Sequence, residues 1–566
     1  MSVLLLVLWA GGLVALPGRL LAELVLRADS LRSRAETWSF SFAFGIGWLT
    51  SLSAALRFAN ALTLPWVVGA TFALVGAIGW RVRTTGRSEH GLRPAGIHFW
   101  AAILLTLAGL GLALLPLRNN AFGADTYFWT EAAVRLVSGG PIEGRPFWEV
   151  YPLFTESPTG YGYLLATAAL LTPELDRGEV ILFFALLWTG FAFGSAFALG
   201  EHLAGRAWGA ASALVYLGSY WMLYYLVTSV SRQSLGLGLA PLFFLLLAKK
   251  GADVVREPSL YALLGTAFAL HAFTGFFLLS TLPAVLVVES IREGLARRRA
   301  SWGAWGTLAA AALSAAPLVV FGRFLGDLTG VVPLSDAPFK YRLELADPLE
   351  PIRTIGALTL ASLALGSVFL WRERREIPLV ASSVSLLALT LLIGVFPQSW
   401  YQASYLALPA HRYYIFYSLV ALVWLGLAGP LLEKWLPPKS RFGVGVLALA
   451  QIGFSAFFAL RMNEPRPRLQ TVLEASRWVE DRSSREDAVA LILSRLENGA
   501  AIARAVLAPR PVLVLEWKGE ATLVEARRLG ARYLITDSGF LEREGISPTA
   551  RFELEPETAV VFRIEE

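Results

Sequence analysis

Apolar runs of similar length recur along this chain. Val3 to Leu26, then 37–56, 62–80 and 96–116, each lie close to the roughly 20 residues a helix needs to cross a hydrocarbon core. Further runs lie at 179–199, 207–226, 235–248, 304–322, 353–371, 377–396, 411–431 and 442–460. Residues 235–248 are shorter, and two other stretches read differently. Tyr161 to Leu171 is too short to span and is followed by Pro173, Glu174, Asp176 and Arg177, so it reads as a re-entrant or interfacial helix packed in protein. Residues 259–289 read as two short helices broken at "HAFTG", residues 271 to 275. The alternative keeps 161–171 as a span and 259–289 as one long helix. On the first reading the chain is an all-α polytopic membrane protein with about fourteen crossings.

The pattern changes after Leu460. "RMNEPRPRLQ" is a polar, proline-containing linker, and "RLQTVLEASRWVEDRS" is patterned as a helix. Short apolar runs at 488–493, 511–515, 532–536 and 558–564 alternate with helical stretches such as "GEATLVEARRLGA". Alternation of this kind predicts a small soluble α/β domain. It has no Gly-rich phosphate loop and no clustered acids, so it is assigned no nucleotide and is expected to be dispensable for any chemistry, while shaping access of an acceptor. The domains are then 1–95, N-terminal transmembrane helices; 96–460, a transmembrane module with longer external segments at 117–160 and 323–352; and 461–566, the soluble domain.

Composition agrees. Hydrophobic residues make up 55% of the chain and charged residues 16%, against about 25% charged in an average soluble domain. The first apolar run has no A-x-A-like cleavage site and reads as a retained span rather than a signal peptide. There is no cysteine, which excludes disulfides, thiol catalysis and cysteine-ligated metal sites. The net charge of +6 comes from arginine clusters between spans rather than from a nucleic-acid surface. Arg27–Arg34, Arg81–Arg93, Ile291–Arg299, Arg372–Arg375 and Lys434–Arg441 are basic and are assigned to the cytoplasm. That assignment puts 117–160 and the C-terminal domain outside.

Candidate chemistry falls on the outer side of this topology. In "NNAFGADTYFWTEAAVRLVSGG", Thr126 is placed to cap a helix with Phe128, Ala132, Val134 and Leu136 on its apolar face. Such a helix lies in the interface and holds Asp125 at the membrane surface. Glu156 follows in "YPLFTESPTGYGYLL". Arg232 in "TSVSRQSLGLGL", His271 in "FALHAFTGFF" and Arg412 in "LALPAHRYYIFYSLVALVWLG" are ionisable groups at or near membrane depth, where a cavity or a partner is the usual reason for them. Each also has a plainer reading: a solvated or capping acid for Asp125 and Glu156, a loop arginine for Arg232, a hydrogen-bonded core histidine for His271, an interfacial anchor for Arg412. An acid and two arginines on one side suit a single chemistry, in which the arginines hold a lipid-linked phosphate while the acid handles a hydroxyl proton.

This layout resembles the GT-C superfamily of polytopic glycosyltransferases, which includes protein O-mannosyltransferases, lipid A aminoarabinose transferases and oligosaccharyltransferases. "GADTYFWTEAAVRLVSGG" stands where that family has a catalytic acid and juxtamembrane helices in its first external loop, with Asp125 in the acid's place. "ESPTGYGY" is similar to the E-x-P segment of the aminoarabinose transferases through Glu156 and Pro158. "LGEHLAGRAWGAASALVYLGSYWMLY" looks like the family's charged turn leading into a small-residue helix, and "AHRYYIFYSLVALVWLGLAG" resembles its late Arg-aromatic helix start. "SVSRQSLGLGL" is similar to the following Arg-containing segment, but Gln233 stands where a further acid is frequent. The likeness covers roughly 96–430.

The resemblance implies an inverting transfer of a sugar from a polyprenyl-phosphate donor to a glycan, lipid or protein acceptor on the outer face of a prokaryotic plasma membrane. Asp125 and Glu156 are its catalytic candidates, and Arg232, Arg412 and His271 its donor-phosphate candidates. No metal ligands are assigned and a divalent metal is left open; membrane lipids are partners and nucleic acid is not. The competing readings are a transporter or flippase of lipid-linked sugars, against which stands the lack of a convincing inverted repeat; a non-catalytic membrane subunit; and another polymerase or ligase of lipid-linked glycans that relies on arginine and histidine more than on Asp125.

Overall fold

A computed structural model describes residues 1–26, 31, 33–84, 96–114, 124–138, 160–223, 226, 230, 232–297, 361–362, 380, 382–385, 387, 414–435, 445–453, 456–457, 467–493, 496–515, 520–536, 548–554 and 557–564. The sequence-predicted spans at 304–322 and 353–371 fall outside these residues or nearly so, as does the segment 323–352.

The apolar runs fold as helices. Helix α1, Ser2–Val25, carries a π-helical stretch at Trp9–Ala15. Then come α2 (Arg34–Phe58), α3 (Leu64–Thr84) and α4 (Gly96–Leu114). Helix α5, Ala124–Ser138, and α6, Gly160–Ala169, precede the long α7, Gly178–Ala204, and its neighbour α8, Arg206–Leu217. Helix α9 (Arg232–Lys250), a 3-10 turn at Gly251–Arg256, α10 (Pro258–Leu270), α11 (Ala272–Arg297) and α12 (Tyr414–Trp435) follow, with further helical residues at 445–453. Four helical stretches among the described residues are long and apolar enough to cross a membrane: Ser2–Val25, Arg34–Phe58, Gly178–Ala204 and Gln233–Arg256. Shorter apolar helices stand beside them. The chain is an integral membrane protein; the figure of about fourteen crossings is not established by these residues.

The start of α2 and the end of α9 meet. The side chain of Ser33 caps α2 by accepting from the backbone N–H of Glu36 at 3.3 Å. The buried carboxylate of Glu36 accepts from Lys249 in the last turn of α9. A cation at a helix C-terminus is favoured by the helix dipole, and burial makes each of these charges depend on the other.

The doubtful short segment is a buried helix. Helix α6 spans ten residues, about 15 Å at 1.5 Å per residue, which is too short to cross. Nine of its residues are buried, Tyr163 being the exception. It packs against α2 and α5, and Trp9 of α1 donates to Thr167 Oγ1 at 2.9 Å. Protein therefore covers its backbone, as the re-entrant reading requires.

The break at "HAFTG" is sharp. Helix α10 ends at Leu270, with His271 at φ −150°, ψ 85°, and α11 turns back along it and reaches the 3-10 turn that precedes α10. The second arm is longer than expected, at 26 residues. The 207–226 run is also not one helix. It stops at Leu217, and after Gly218 the hydroxyl of Ser219 accepts from Met222 N–H to start a separate turn, Tyr220–Leu223.

The C-terminal domain is layered as predicted. Its elements are α13 (Pro467–Glu480), β1 (Ala488–Ile492), α14 (Leu496–Leu507), β2 (Val512–Val514), α15 (Glu520–Arg528), β3 (Ala531–Thr536), β4 (Ala550–Leu554) and β5 (Glu557–Arg563). The sheet order is β2-β1-β3-β5-β4, with β2, β1 and β3 parallel and β5 and β4 antiparallel. Val489 and Leu491 of β1 pack on one face against Val472, Val479, Ala503 and Leu507. Ala490 and Ile492 pack on the other against Leu534 and Ala526. Covered on both faces, β1 reads as an unbroken apolar run.

Candidate active site

Helix α5 carries the best candidate acid in its first turn, with the helix backbone described at Asp125 and side chains from Thr126 onward. Its start corrects two expectations. The helix begins at Ala124, so Thr126 is within it rather than its cap; its hydroxyl is buried without a hydrogen-bond partner. Nor is α5 an amphipathic helix with a wet side. From Thr126 to Ala133 every residue is buried, and so are Arg135 and Leu136.

The reason is that both faces of α5 are covered. Trp129 stands edge-on to Tyr161 of α6, ring centroids 5.7 Å apart. On its other side lies α14 of the C-terminal domain. There Glu131 Oε1 accepts from Arg135 Nε at 2.7 Å, one turn along the same helix, and from Arg504 Nε at 2.9 Å. Arg504 Nη2 approaches the same oxygen at 2.7 Å. All three side chains are buried. The surrounding contact is apolar, since Ile502, Ala505 and Val506 of α14 and Leu473 of α13 belong to the same hydrophobic core as Trp129 and Tyr161.

A chain of contacts runs from α5 to the other candidates. A Cβ on Gly160, beside Tyr161, would lie 2.6 Å from the carbonyl oxygen of Ala269, so α6 abuts the end of α10 with no room for a side chain. Two residues on, His271 forms the tip of the α10–α11 hairpin. It is buried, and its Nδ1 shares a 2.7 Å hydrogen bond with Thr274 Oγ1. Facing them on α9 is Gly236, where a Cβ would lie 2.5 Å from Thr274 Oγ1 and 3.4 Å from His271 Nδ1. Arg232 begins α9 one turn before Gly236, about 6 Å along the axis. The adjacent Gln233 is buried with its amide nitrogen unpartnered. The helix bearing Asp125 is thus joined through α6 to the hairpin whose tip is His271, and that tip packs on the helix that Arg232 begins; Glu156 and Arg412 lie outside the described residues.

No protein-family model matches the chain, and a search of curated proteins finds no relative. Among solved structures it is similar to ArnT from Cupriavidus metallidurans in the apo state, at 14% identity, over 86% of this chain and 98% of that chain, with a TM-score of 0.47. It is also similar to ArnT from the same organism bound to undecaprenyl phosphate, at 12% identity, over 82% and 98%, with a TM-score of 0.48. A third is the Archaeoglobus fulgidus oligosaccharyltransferase in complex with Zn and sulfate, at 14% identity, over 76% and 68%, with a TM-score of 0.40.

A second seam joins the C-terminal domain to the membrane part. Asp176, in the turn between α6 and α7, is buried near Arg477 and Glu480 of α13. Its Oδ2 and Arg477 Nε have no hydrogen-bond partner. Burial first, and the charge of Glu480 next, push the Asp176 carboxyl up to about 7, while Arg477 and Arg177 pull the other way. Burial also raises Glu480, against the pull of Arg177, Arg510 and Arg477. Among the described residues no three His, Cys, Asp or Glu side chains gather as a metal site would.

Proposed function

We propose that this protein transfers a sugar from a polyprenyl-phosphate donor to an acceptor hydroxyl at the outer face of the membrane, with inversion at the anomeric carbon. Asp125 accepts the proton of the hydroxyl as it attacks, the bond to phosphate breaks, and the lipid phosphate leaves with the electron pair. Arg232 and Arg412 hold that phosphate by charge-assisted hydrogen bonds, which strengthen as charge develops on it. His271 supports the same site from the hairpin tip, and Glu156 is the reserve acid of the first external segment.

The observation that carries this reading is the packing that links the three elements. The helix with Asp125 leans through Trp129 and Tyr161 on the end of α10, and the tip there faces the first turns of the helix that Arg232 begins. A proton acceptor and a phosphate holder on elements joined by continuous packing suit a single displacement. The deciding experiment uses purified protein in nanodiscs with a labelled polyprenyl-phosphate hexose and an envelope-lipid acceptor extract. Transfer by the wild type, lost in Asp125→Asn and in Arg232→Ala, supports the reading. Movement of the labelled lipid between leaflets without transfer would replace it with the flippase.

A further inference from the structure

The C-terminal domain supplies none of the candidate reacting groups, which is why its sequence reads as dispensable for the chemistry, yet it grips the helix that carries Asp125. We propose that Arg504 is a positioning residue for the candidate base: by holding Glu131 it locks α5, and through α5 sets where Asp125 stands. This rests on the transferase reading above.

The geometry is specific. Glu131 lies six residues after Asp125 on one unbroken helix, about 9 Å along the axis. Its carboxylate is buried and shares one oxygen between two arginines, so removing Arg504 takes away the partner that ties it to the domain and leaves a buried charge less well paired, which is costly. Arg135 cannot by itself define where α5 sits, because it rides on the same helix. Arg504 can, because it arrives from a helix 373 residues away in sequence, and it brings two nitrogens to one oxygen. The opposite face of α5 is fixed by the Trp129–Tyr161 contact, so α5 is clamped between the hairpin side and the domain side. A general base works only within hydrogen-bond reach of its proton, so a loosened α5 lowers turnover more than donor binding, which the arginines supply.

The test separates docking from chemistry. The chain has no cysteine, so Phe58→Cys and Val524→Cys, at positions 88% and 61% exposed, accept spin labels without removing native thiols. Distance distributions between them are compared in nanodiscs for the otherwise native chain, Arg504→Ala and Arg504→Lys, alongside kcat and KM for a labelled polyprenyl-phosphate hexose. Arg504→Ala is expected to broaden the distribution and lower kcat by roughly 10–100-fold, with KM for the donor nearly unchanged. Arg504→Lys keeps the charge but loses the paired geometry, and is expected to restore the narrow distribution with intermediate kcat. Glu131→Gln is expected to follow Arg504→Ala, which checks the result independently of any folding defect at position 504. An unchanged distribution in Arg504→Ala overturns the clamp. A freed domain with native kcat overturns the positioning role. If the otherwise native chain transfers nothing while Arg504→Ala frees the domain, the transferase reading falls and takes the positioning role with it, leaving a structural clamp.

Discussion

Gly236 stands directly opposite Thr274, so closely that a single added carbon would fall 2.5 Å from the threonine hydroxyl. That hydroxyl holds His271 Nδ1. Gly236→Ala must therefore push Thr274 aside and release or turn the imidazole. The obstacle is a side chain that can rotate, so the expected loss of stability is modest, about 1–3 kcal/mol. Donor binding is expected to weaken about 10-fold if His271 belongs to the phosphate site, a change read by equilibrium binding of labelled lipid phosphate. Thr274→Val, which removes the hydrogen bond without adding bulk at position 236, is expected to weaken binding in the same direction.

Gly160 tests the packing by contrast. Its added carbon would meet the backbone carbonyl of Ala269, 2.6 Å away, and a carbonyl fixed in a helix cannot rotate aside. Gly160→Ala is expected to cost more than Gly236→Ala, with a larger fall in thermal midpoint and loss of donor binding and transfer together. A midpoint within a degree or two of wild type would mean that α6 is not held against α10 as described.

The seam at Asp176 predicts a dependence on pH. Its carboxyl titrates higher in the folded chain than the ordinary unfolded value of about 3.9, being pushed up to about 7 by burial and by Glu480. The folded state then binds the proton more tightly than the unfolded one. The stability this group contributes is fullest below the unfolded value and is lost as pH rises toward and through about 7. The thermal midpoint is expected to fall between pH 5 and pH 8, and Asp176→Asn, which stays neutral, is expected to flatten that fall. Equal slopes for the two proteins would assign the pH dependence elsewhere.

How far the sequence could be read depends on where the partners lie. The C-terminal strands at 488–492, 512–514, 531–536 and 557–563 were visible because burial leaves short apolar runs between helical stretches. The edge strand β4, "ARFEL", was not, because it alternates exposed Arg551 with Phe552 and pairs along one side only. The short helix at 160–169 was recognisable from its length and the proline after it. Glu131 and Arg135 are spaced for a surface pair on a helix, and nothing local to them says that Arg504 will bury both. For the same reason α5 looked amphipathic: its charged side is covered by a helix that comes almost four hundred residues later. Thr126 reads as a cap because threonine is an ordinary starting residue, but the helix begins before it, at Ala124.

Asp125 itself offers the most direct test of the chemistry. If it is the general base, its work requires an ionised carboxylate aimed at the acceptor hydroxyl, and nothing in donor binding requires it. Asp125→Asn keeps the size and first-turn position on α5 while removing the basicity. Transfer is expected to fall by about 10²-fold or more, the usual worth of a positioned base, with donor affinity nearly unchanged. Arg412→Ala is expected to behave differently, weakening donor affinity and slowing departure of the phosphate together, because it meets the same group in both states. The two variants are compared in nanodiscs by single-turnover transfer and by equilibrium donor binding. Asp125→Glu extends the measurement: it retains the base on a longer arm, so partial activity is expected where asparagine has little. Wild-type transfer by Asp125→Asn would remove it from the chemistry. In that event Glu156→Gln becomes the next variant to measure, and a native rate there as well would leave the flippase reading as the better account of the arginines.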